Sequence, residues 1–113
     1  MLLQNLNRES ILRKTHDGLL IYAHVLSAYY PGEIVLSLRG RDCIPTKNPF
    51  NENKLTLKIQ IVNDCAIHRD MELSIPDGDA FSFAEMYFKL EGDELLKKID
   101  EELYLRIGNQ YEE

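Results

Sequence analysis

The chain has 113 residues, of which 44% are hydrophobic, and its formal net charge is −6. A chain of this length forms one ordinary domain and buries a core without disulfides or metal ions. Its longest apolar stretches, 19–25 and 34–38, are much shorter than the roughly 20 residues of a membrane span. The two cysteines, Cys43 and Cys65, fit neither a disulfide framework nor a thioredoxin motif. We therefore expect a cytoplasmic protein with free thiols and no membrane anchor.

The first third of the chain predicts two helices. Residues 8–14 favour a short helix, and residues 15–18 form a break in which Asp17 is placed to cap a second helix. From residue 19 to residue 30 the apolar side chains recur at helical spacing, and Pro31 and Gly32 end the pattern. We treat 1–16 as an N-terminal extension with a short helix, 17–108 as a single domain and 109–113 as a frayed tail.

Three strands are predicted in the centre of the chain. Residues 33–38 are mostly β-branched or aliphatic and form the first. A loop is expected at 40–53, because Pro45 and Pro49 lack the backbone donor that a sheet requires. Residues 55–61 alternate apolar and polar side chains, which indicates a strand with one face in the core. After a turn at residues 63 and 64, residues 65–71 are expected to return antiparallel.

Two helices are predicted in the last third. Residues 76–79, Pro-Asp-Gly-Asp, indicate a turn, and Asp79 is placed to cap a helix at 80–89. The second helix begins at Gly92, has an apolar stripe that reaches Ile107 and is expected to stop at Gly108. The predicted fold class is α+β, with an N-terminal helix, a small antiparallel sheet of three or four strands and two C-terminal helices.

Residues 38–54, LRGRDCIPTKNPFNENK, resemble a zinc-ribbon knuckle of the CHC2-type zinc-binding domain of bacterial and phage DNA primases. In that family a strand ending in Gly-Arg is followed by Cys-Pro-x-His, a polar run with Glu and Lys, and a second strand. Asn48 and Asn51 occupy the positions of Cys and His. The order of elements also agrees from about residue 17 to residue 107, so the resemblance implies a zinc-ribbon-like sheet.

The zinc ligands of the family are missing here. Structural zinc is held by four Cys or His ligands, and the second pair would fall between Asp70 and Ser74, where neither residue type occurs. The resemblance therefore implies a degenerate, zinc-free relative without metal or cofactor. We expect apolar side chains to close the space instead, namely those of Phe50, Leu57, Ile59 and Phe81.

A relocated zinc site is the alternative to a zinc-free domain. Cys65 and His68 have ligand-like spacing, and Cys43 with His16 or His24 would complete four ligands. Residues 65 and 68 would point to opposite faces of a strand, however, which favours the zinc-free interpretation.

The centre of the chain is basic, although the chain as a whole is acidic. Residues 37–58 carry five basic and two acidic side chains, whereas residues 91–113 carry eight acidic ones. In the family that the chain resembles, the ribbon helps to read a single-stranded template, and a basic loop with an exposed aromatic side chain suits phosphates and a stacked base. The predicted nucleic-acid-binding residues are Arg39, Arg41, Lys47, Phe50, Lys54 and Lys58. The alternative is that these cations are simply solvated or pair with the acidic helix.

We expect no catalytic residue. Residues 77–79, Asp-Gly-Asp, are similar to a magnesium motif, but they open a helix, and the turn-and-cap interpretation is favoured. The resemblance implies a non-catalytic accessory module of DNA replication or mobile-element maintenance. Its expected partners are single-stranded DNA and a replication or mobilisation protein; nothing in the sequence indicates the oligomeric state. The alternative function is a protein-interaction adaptor that kept the ribbon fold and lost nucleic-acid binding, with Tyr29, Tyr30, Tyr104 and Tyr111 as contact residues.

Overall fold

The computed structural model describes residues 6–39 and 42–108, with the backbone alone at residues 38, 39, 42 and 43. Within these residues four helices and six strand segments follow one another. They are α1 (Arg8–Lys14), α2 (Leu19–Tyr29), β1 (Leu38–Arg39), β2 (Asp42–Cys43), β3 (Thr46–Asn48), β4 (Lys54–Val62), β5 (Cys65–Asp70), β6 (Gly78–Asp79), α3 (Ala80–Phe88) and α4 (Gly92–Glu102). The predicted α+β class, with its N-terminal helix, antiparallel sheet and two C-terminal helices, is confirmed.

The sheet is built on two long strands. Strands β4 and β5 pair over six residue pairs, from Leu57 with Asp70 to Val62 with Cys65. On the other edge of β4, β2 pairs at Gln60, and β3 pairs with residues 54–57, nearer the start of β4. The two segments therefore act as one interrupted strand. The short segments β1 and β6 extend the sheet at its two sides. The sheet is therefore more finely divided than the three or four strands predicted.

The alternating pattern of β4 defines an inner and an outer face of the sheet. Leu57 and Ile59 are fully buried, whereas Lys58 between them is exposed. Residues of α2, α3 and α4 complete the core on the inner face: Ile21, Tyr22, Val25, Leu26, Ala80, Phe81, Phe83, Ala84, Leu95 and Ile99. Helix α1, which the sequence analysis separated as an extension, contributes the fully buried Ile11 to the same core.

A buried histidine links the sheet to this helical layer. His68 Nε2 lies 3.1 Å from the carbonyl oxygen of Pro76, and Nδ1 lies 2.8 Å from the hydroxyl of Tyr22 in α2. Because a carbonyl only accepts, Nε2 carries the proton and the tyrosine donates to Nδ1. Burial lowers the pKa of His68, although the Pro76 carbonyl opposes the shift. The neutral ring is therefore a structural part of the core.

Most helix boundaries agree with their sequence signals. Asp79 caps α3 as predicted, because its Oδ1 accepts a hydrogen bond from the backbone N–H of Ser82 at 3.0 Å. At α2 the predicted cap, Asp17, is wrong, since Gly18 occupies that position. Gly18 has a φ of +102°, and a Cβ there would lie 2.9 Å from Cβ of Ala80, so the chain needs glycine where α2 approaches α3. No helix among the described residues combines the length and the apolar character needed to cross a membrane.

The predicted strand at 33–38 is wrong for most of its length, since only Leu38 belongs to a strand, β1. Residues 34–37 still run beside the next segment, where Ile44 N donates to Ser37 O at 2.7 Å and Thr46 Oγ1 donates to Val35 O at 2.8 Å. The register of β1 with β2, if it continued, would bring Pro45 opposite residue 36, and proline has no N–H for a ladder. The predicted loop at 40–53 correspondingly contains the short segments β2 and β3.

The last helix is shorter than predicted. Helix α4 ends at Glu102, and Tyr104 and Arg106 have φ values of +55° and +59°, so the chain turns back. The buried carboxylate of Asp100 holds this turn by accepting hydrogen bonds from the N–H groups of Ile107 (2.9 Å) and Gly108 (2.8 Å). Ile107 thus reaches the core through a turn and not through a helical stripe.

Substitutions in β4 test the two faces of the sheet. Leu57→Ala and Ile59→Ala should each lower the free energy of unfolding by about 2–5 kcal/mol, because each leaves a cavity in the core. The exposed neighbour provides the matched control, and Lys58→Ala should cost about 0.5 kcal/mol or less. Urea unfolding measures all three. A cost for Lys58→Ala equal to the other two would contradict the assignment of faces.

Candidate functional site

A buried carboxylate at the end of β5 is the centre of a polar cluster. Asp70 and Asn48 are fully buried, and Asn51 and Thr56 are 8% and 9% exposed. Asp70 Oδ1 accepts hydrogen bonds from Asn48 Nδ2 at 3.0 Å, from Asn51 Nδ2 at 3.3 Å and from the hydroxyl of Thr56. These donors come from β3, from the turn that follows it and from β4. The carboxylate thus joins β5 to β3 and to the start of β4.

The second oxygen of Asp70 organises the turn that follows β5. Oδ2 accepts hydrogen bonds from the backbone N–H of Glu72 at 3.0 Å and from both N–H and hydroxyl of Ser74, at 3.1 and 3.0 Å. An aspartate that binds the backbone two residues onward forms an Asx turn. This turn holds Leu73 at a φ of +56°.

Asn48 organises a second turn in the same way. Its side-chain oxygen accepts a hydrogen bond from the N–H of Phe50 at 2.9 Å, and its carbonyl accepts from the N–H groups of Asn51 and Asn53, both at 3.0 Å. The amide of Asn48 therefore serves two purposes, because its oxygen shapes the turn between β3 and β4 while its nitrogen binds Asp70. The two Asx turns meet at one carboxylate.

An ion pair lies at the exposed rim of the cluster. Glu72 Oε1 accepts hydrogen bonds from Asn51 Nδ2 and Lys54 Nζ, both at 3.1 Å. The hydrogen bond from Asn51, followed by that from Lys54, lowers the pKa of Glu72, and the hydrogen bond to Glu72 raises the pKa of Lys54. The positive charge of Lys54 is therefore already compensated within the chain.

Hydrogen bonds outweigh burial at Asp70. Burial alone would raise the pKa of this carboxyl, but the hydrogen bonds from Thr56, Asn48 and Ser74 hold it far below its usual value. Every buried side-chain nitrogen or oxygen of the described residues has a hydrogen-bond partner. A fully satisfied network of this kind rigidifies and specifies a fold, whereas a partly satisfied one destabilises it.

The donor chemistry of the cluster does not fit a metal ion. Six donor groups point at the Asp70 carboxylate, which offers about four lone-pair positions. Zinc needs thiolate, imidazole or free carboxylate electron pairs, and no group of three or more such side chains converges among the residues that the structure describes. Of the relocated ligands, the paired register puts Cys65 and His68 on opposite faces of the sheet, and the Cys43 side chain lies outside the described part.

The three lysines among the predicted nucleic-acid-binding residues have different surroundings. Lys47 Nζ lies 3.0 Å from Glu33 Oε1 and 5.1 Å from the ring centroid of Tyr30, and Lys54 pairs with Glu72. Lys58 is exposed on the outer face of β4. Arg41 and the side chain of Arg39 lie outside the described residues.

Phe50 is not the exposed aromatic that the sequence predicted. It is half-buried, and its ring centroid lies 5.4 Å from that of Phe83 and 5.6 Å from that of Tyr29. The turn formed by Asn48 directs Phe50 toward the core. The expectation that Phe50, Leu57, Ile59 and Phe81 close the space between the two turns is also corrected, since polar side chains fill it.

Sequence reasoning missed Asp70, Thr56 and Ser74 as members of the cluster. One signal was available, because the inward positions of β5 are Ala66, His68 and Asp70, so the alternating pattern puts a charged residue on the buried face. A buried charge needs hydrogen-bond partners. Its partners were not evident, since Asn48 and Thr56 lie 22 and 14 residues away along the chain.

Comparisons of the chain with protein-family models, curated proteins and solved structures gave no significant match.

The substitution Asp70→Asn tests the role of the carboxylate. At neutral pH it should lower the free energy of unfolding by about 3 kcal/mol, because it replaces a charged acceptor by an amide and leaves buried donors without a partner. Asp77→Asn, at an exposed carboxylate, is the control and should cost about 0.5 kcal/mol or less.

The pH dependence provides a second readout of the same variant. The pKa of Asp70 is lowered from 3.8 on folding, so its stabilisation is fully present above that value and declines as the pH falls below it toward the lower pKa of the folded state. The stability difference between the parent and Asp70→Asn should therefore shrink below about pH 4. Urea unfolding at several pH values measures it, and a difference that stays constant in acid would contradict the proposed ionised state.

Proposed function

We propose that this chain is a zinc-free relative of the CHC2-type primase zinc-binding domain and serves as a non-catalytic accessory module of DNA replication or mobile-element maintenance. In this proposal the domain contacts single-stranded DNA through its basic central part. The replication or mobilisation machinery supplies the catalytic activity.

One observation carries the proposal. The family pattern puts its first ligand pair at positions 48 and 51 and its second pair between 70 and 74. These two regions are about 20 residues apart in the chain, and their side chains converge on one buried carboxylate with contacts of 3.0 to 3.3 Å. A zinc ribbon requires this same convergence, because one ion joins two turns. The geometry supports descent from such a site.

The carboxylate network performs the mechanical task that zinc performs in a ribbon. Each turn donates hydrogen bonds to Asp70, from Asn48 and Asn51 on one side and from Glu72 and Ser74 on the other. A hydrogen bond to a charged group contributes about 1.5–3 kcal/mol, less than the roughly 10–16 kcal/mol typical of one structural zinc ion. The difference is tolerable here because the packed helices and sheet already provide a core.

The proposal predicts that folding is independent of zinc. The purified protein should contain no stoichiometric zinc, and its melting temperature should not change in a strong chelator, because donors already occupy the Asp70 carboxylate. Elemental analysis and thermal unfolding measure the two quantities. One zinc per chain together with unfolding on chelation would contradict the proposal.

The nucleic-acid part of the proposal predicts salt-dependent binding of single-stranded DNA. Phosphate contacts release counterions, so the affinity for a labelled oligonucleotide should fall steeply between about 50 and about 200 mM salt. Fluorescence anisotropy measures it, with duplex DNA of the same sequence for comparison. Absence of binding at low salt would exclude nucleic-acid binding and leave the adaptor as the function.

The adaptor is the second candidate, and an exposed apolar groove favours it. The groove has a volume of about 210 Å³, and Ile34, Ile44 and Leu55 in its lining are 90%, 42% and 64% exposed. Exposed apolar clusters of this kind are typical of protein contact sites. Of the tyrosines predicted for such a role, Tyr30 is buried, Tyr29 and Tyr104 are exposed, and Tyr111 lies outside the described residues.

A further inference from the structure

A second concave site lies on the outer face of the sheet, away from the Asp70 network. It is a cleft of about 530 Å³, lined by Lys58, Gln60, Ile67, His68, Arg69, Asp77 and Gly78. Strands β4 and β5 supply most of this lining. The cleft therefore rests on the most regular part of the fold.

Two cations face each other across the strands that form this cleft. Lys58 and Arg69 are directly paired in the register of β4 and β5, and both are exposed. Side chains at such positions have Cβ atoms about 5 Å apart, and like charges placed there destabilise a sheet. An anion between the two side chains would remove this repulsion.

Little of this positive charge is compensated within the described part of the chain. Lys58 forms no ion pair with a described carboxylate, and Arg69 has one contact, from Nε to Asp77 Oδ2 at 3.7 Å. The loop cations differ in this respect, because Lys47 and Lys54 lie 3.0 and 3.1 Å from glutamate oxygens. An incoming phosphate would displace an existing partner at the loop but not at Lys58.

The remaining lining suits a nucleotide. Ile67 is 36% exposed and gives an apolar surface beside the two cations. Single-stranded nucleic acid is bound by positive grooves that follow the backbone. A purely acidic peptide would make no use of the apolar surface.

We propose that the outer cleft, through Lys58 and Arg69, is the phosphate-binding site for single-stranded DNA, and that the loop residues Lys47, Phe50 and Lys54 are not. This inference rests on the proposed nucleic-acid function and names the surface that performs it. The anionic phosphates take the place between the two cations, and the sugar and base lie toward Ile67.

Two double variants with the same change in net charge test the inference. Lys58→Gln with Arg69→Gln removes both cations of the cleft, and Lys47→Gln with Lys54→Gln removes two cations of the loop. Each lost phosphate contact on a single strand lowers the log-log salt slope by about 0.7, so the cleft variant should lose about 1.4 and the loop variant close to zero. Asp77→Asn should strengthen binding, because it removes the carboxylate that competes for Arg69. Circular dichroism and urea unfolding establish that each variant is folded.

The outcomes separate the cleft from the proposed function. If the parent binds labelled oligothymidylate and both double variants lose affinity equally, or the loop variant loses more, the cleft assignment is overturned and the function stands. If the parent does not bind the oligonucleotide at low salt, both are overturned. In the remaining case the cleft binds an anion but the protein does not bind DNA. Titration with inorganic pyrophosphate, monitored by amide chemical shifts, identifies this case. Shifts at residues 58 and 69 without DNA binding would indicate an anion site of another kind and overturn the assignment.

Discussion

The buried carboxylate of Asp70 is the interaction on which the arrangement of the two turns depends. It lies where the ends of β3, β4 and β5 meet, and it accepts hydrogen bonds from residues that are far apart in the chain. An ionised group in this position is tolerated because its donors compensate the loss of water. These donors come from both turns and point at one group, so the cluster favours one geometry of the turns over others. It therefore determines where Phe50 and Leu73, one in each turn, are held.

The apolar core and the polar Asp70 cluster stabilise different parts of the fold. The inner face of β4 and β5 supplies apolar contacts to α2, α3 and α4, and the His68 ring joins sheet and helices through Tyr22 and Pro76. The cluster closes one end of the sheet beside Leu57, the core residue that pairs with Asp70. On the outer face the same two strands present Lys58 and Arg69 side by side. The paired strands thus place the two cationic residues side by side, and the proposed phosphate-binding surface depends on this arrangement.

Elements with a strong local signal were predictable from the sequence, and those that depend on distant contacts were not. The strand at 55–61 and the cap at Asp79 involve neighbouring residues, and both agree with the structure. The predicted alternation of faces holds from Leu57 onward but not at Leu55, which is exposed, or at Thr56, which is buried in the polar cluster. The segment at 33–38 has strand-forming residues, but its pairing depends on a partner segment that contains Pro45. At the candidate site the resemblance implied vacant zinc-ligand positions at 48, 51 and between 70 and 74, and the space there was predicted to be apolar, whereas it is polar. The difference arises because a carboxylate with enough hydrogen-bond donors fills a buried space as apolar side chains do. Those donors are not evident from sequence spacing.

The central proposal is that the Asp70 network occupies the position of a structural zinc ion, and introducing zinc ligands at these positions tests it directly. A variant with Asn48→Cys, Asn51→His, Asp70→Cys and Ser74→Cys has four ligands at the ends of the two turns. If the turns retain the geometry of a zinc ribbon, this variant should bind one zinc ion per chain, show the absorption of a tetrahedral thiolate site when cobalt replaces zinc, and gain stability on binding. Absence of stoichiometric binding in a folded variant, or a cobalt spectrum without tetrahedral thiolate character, would contradict the claim.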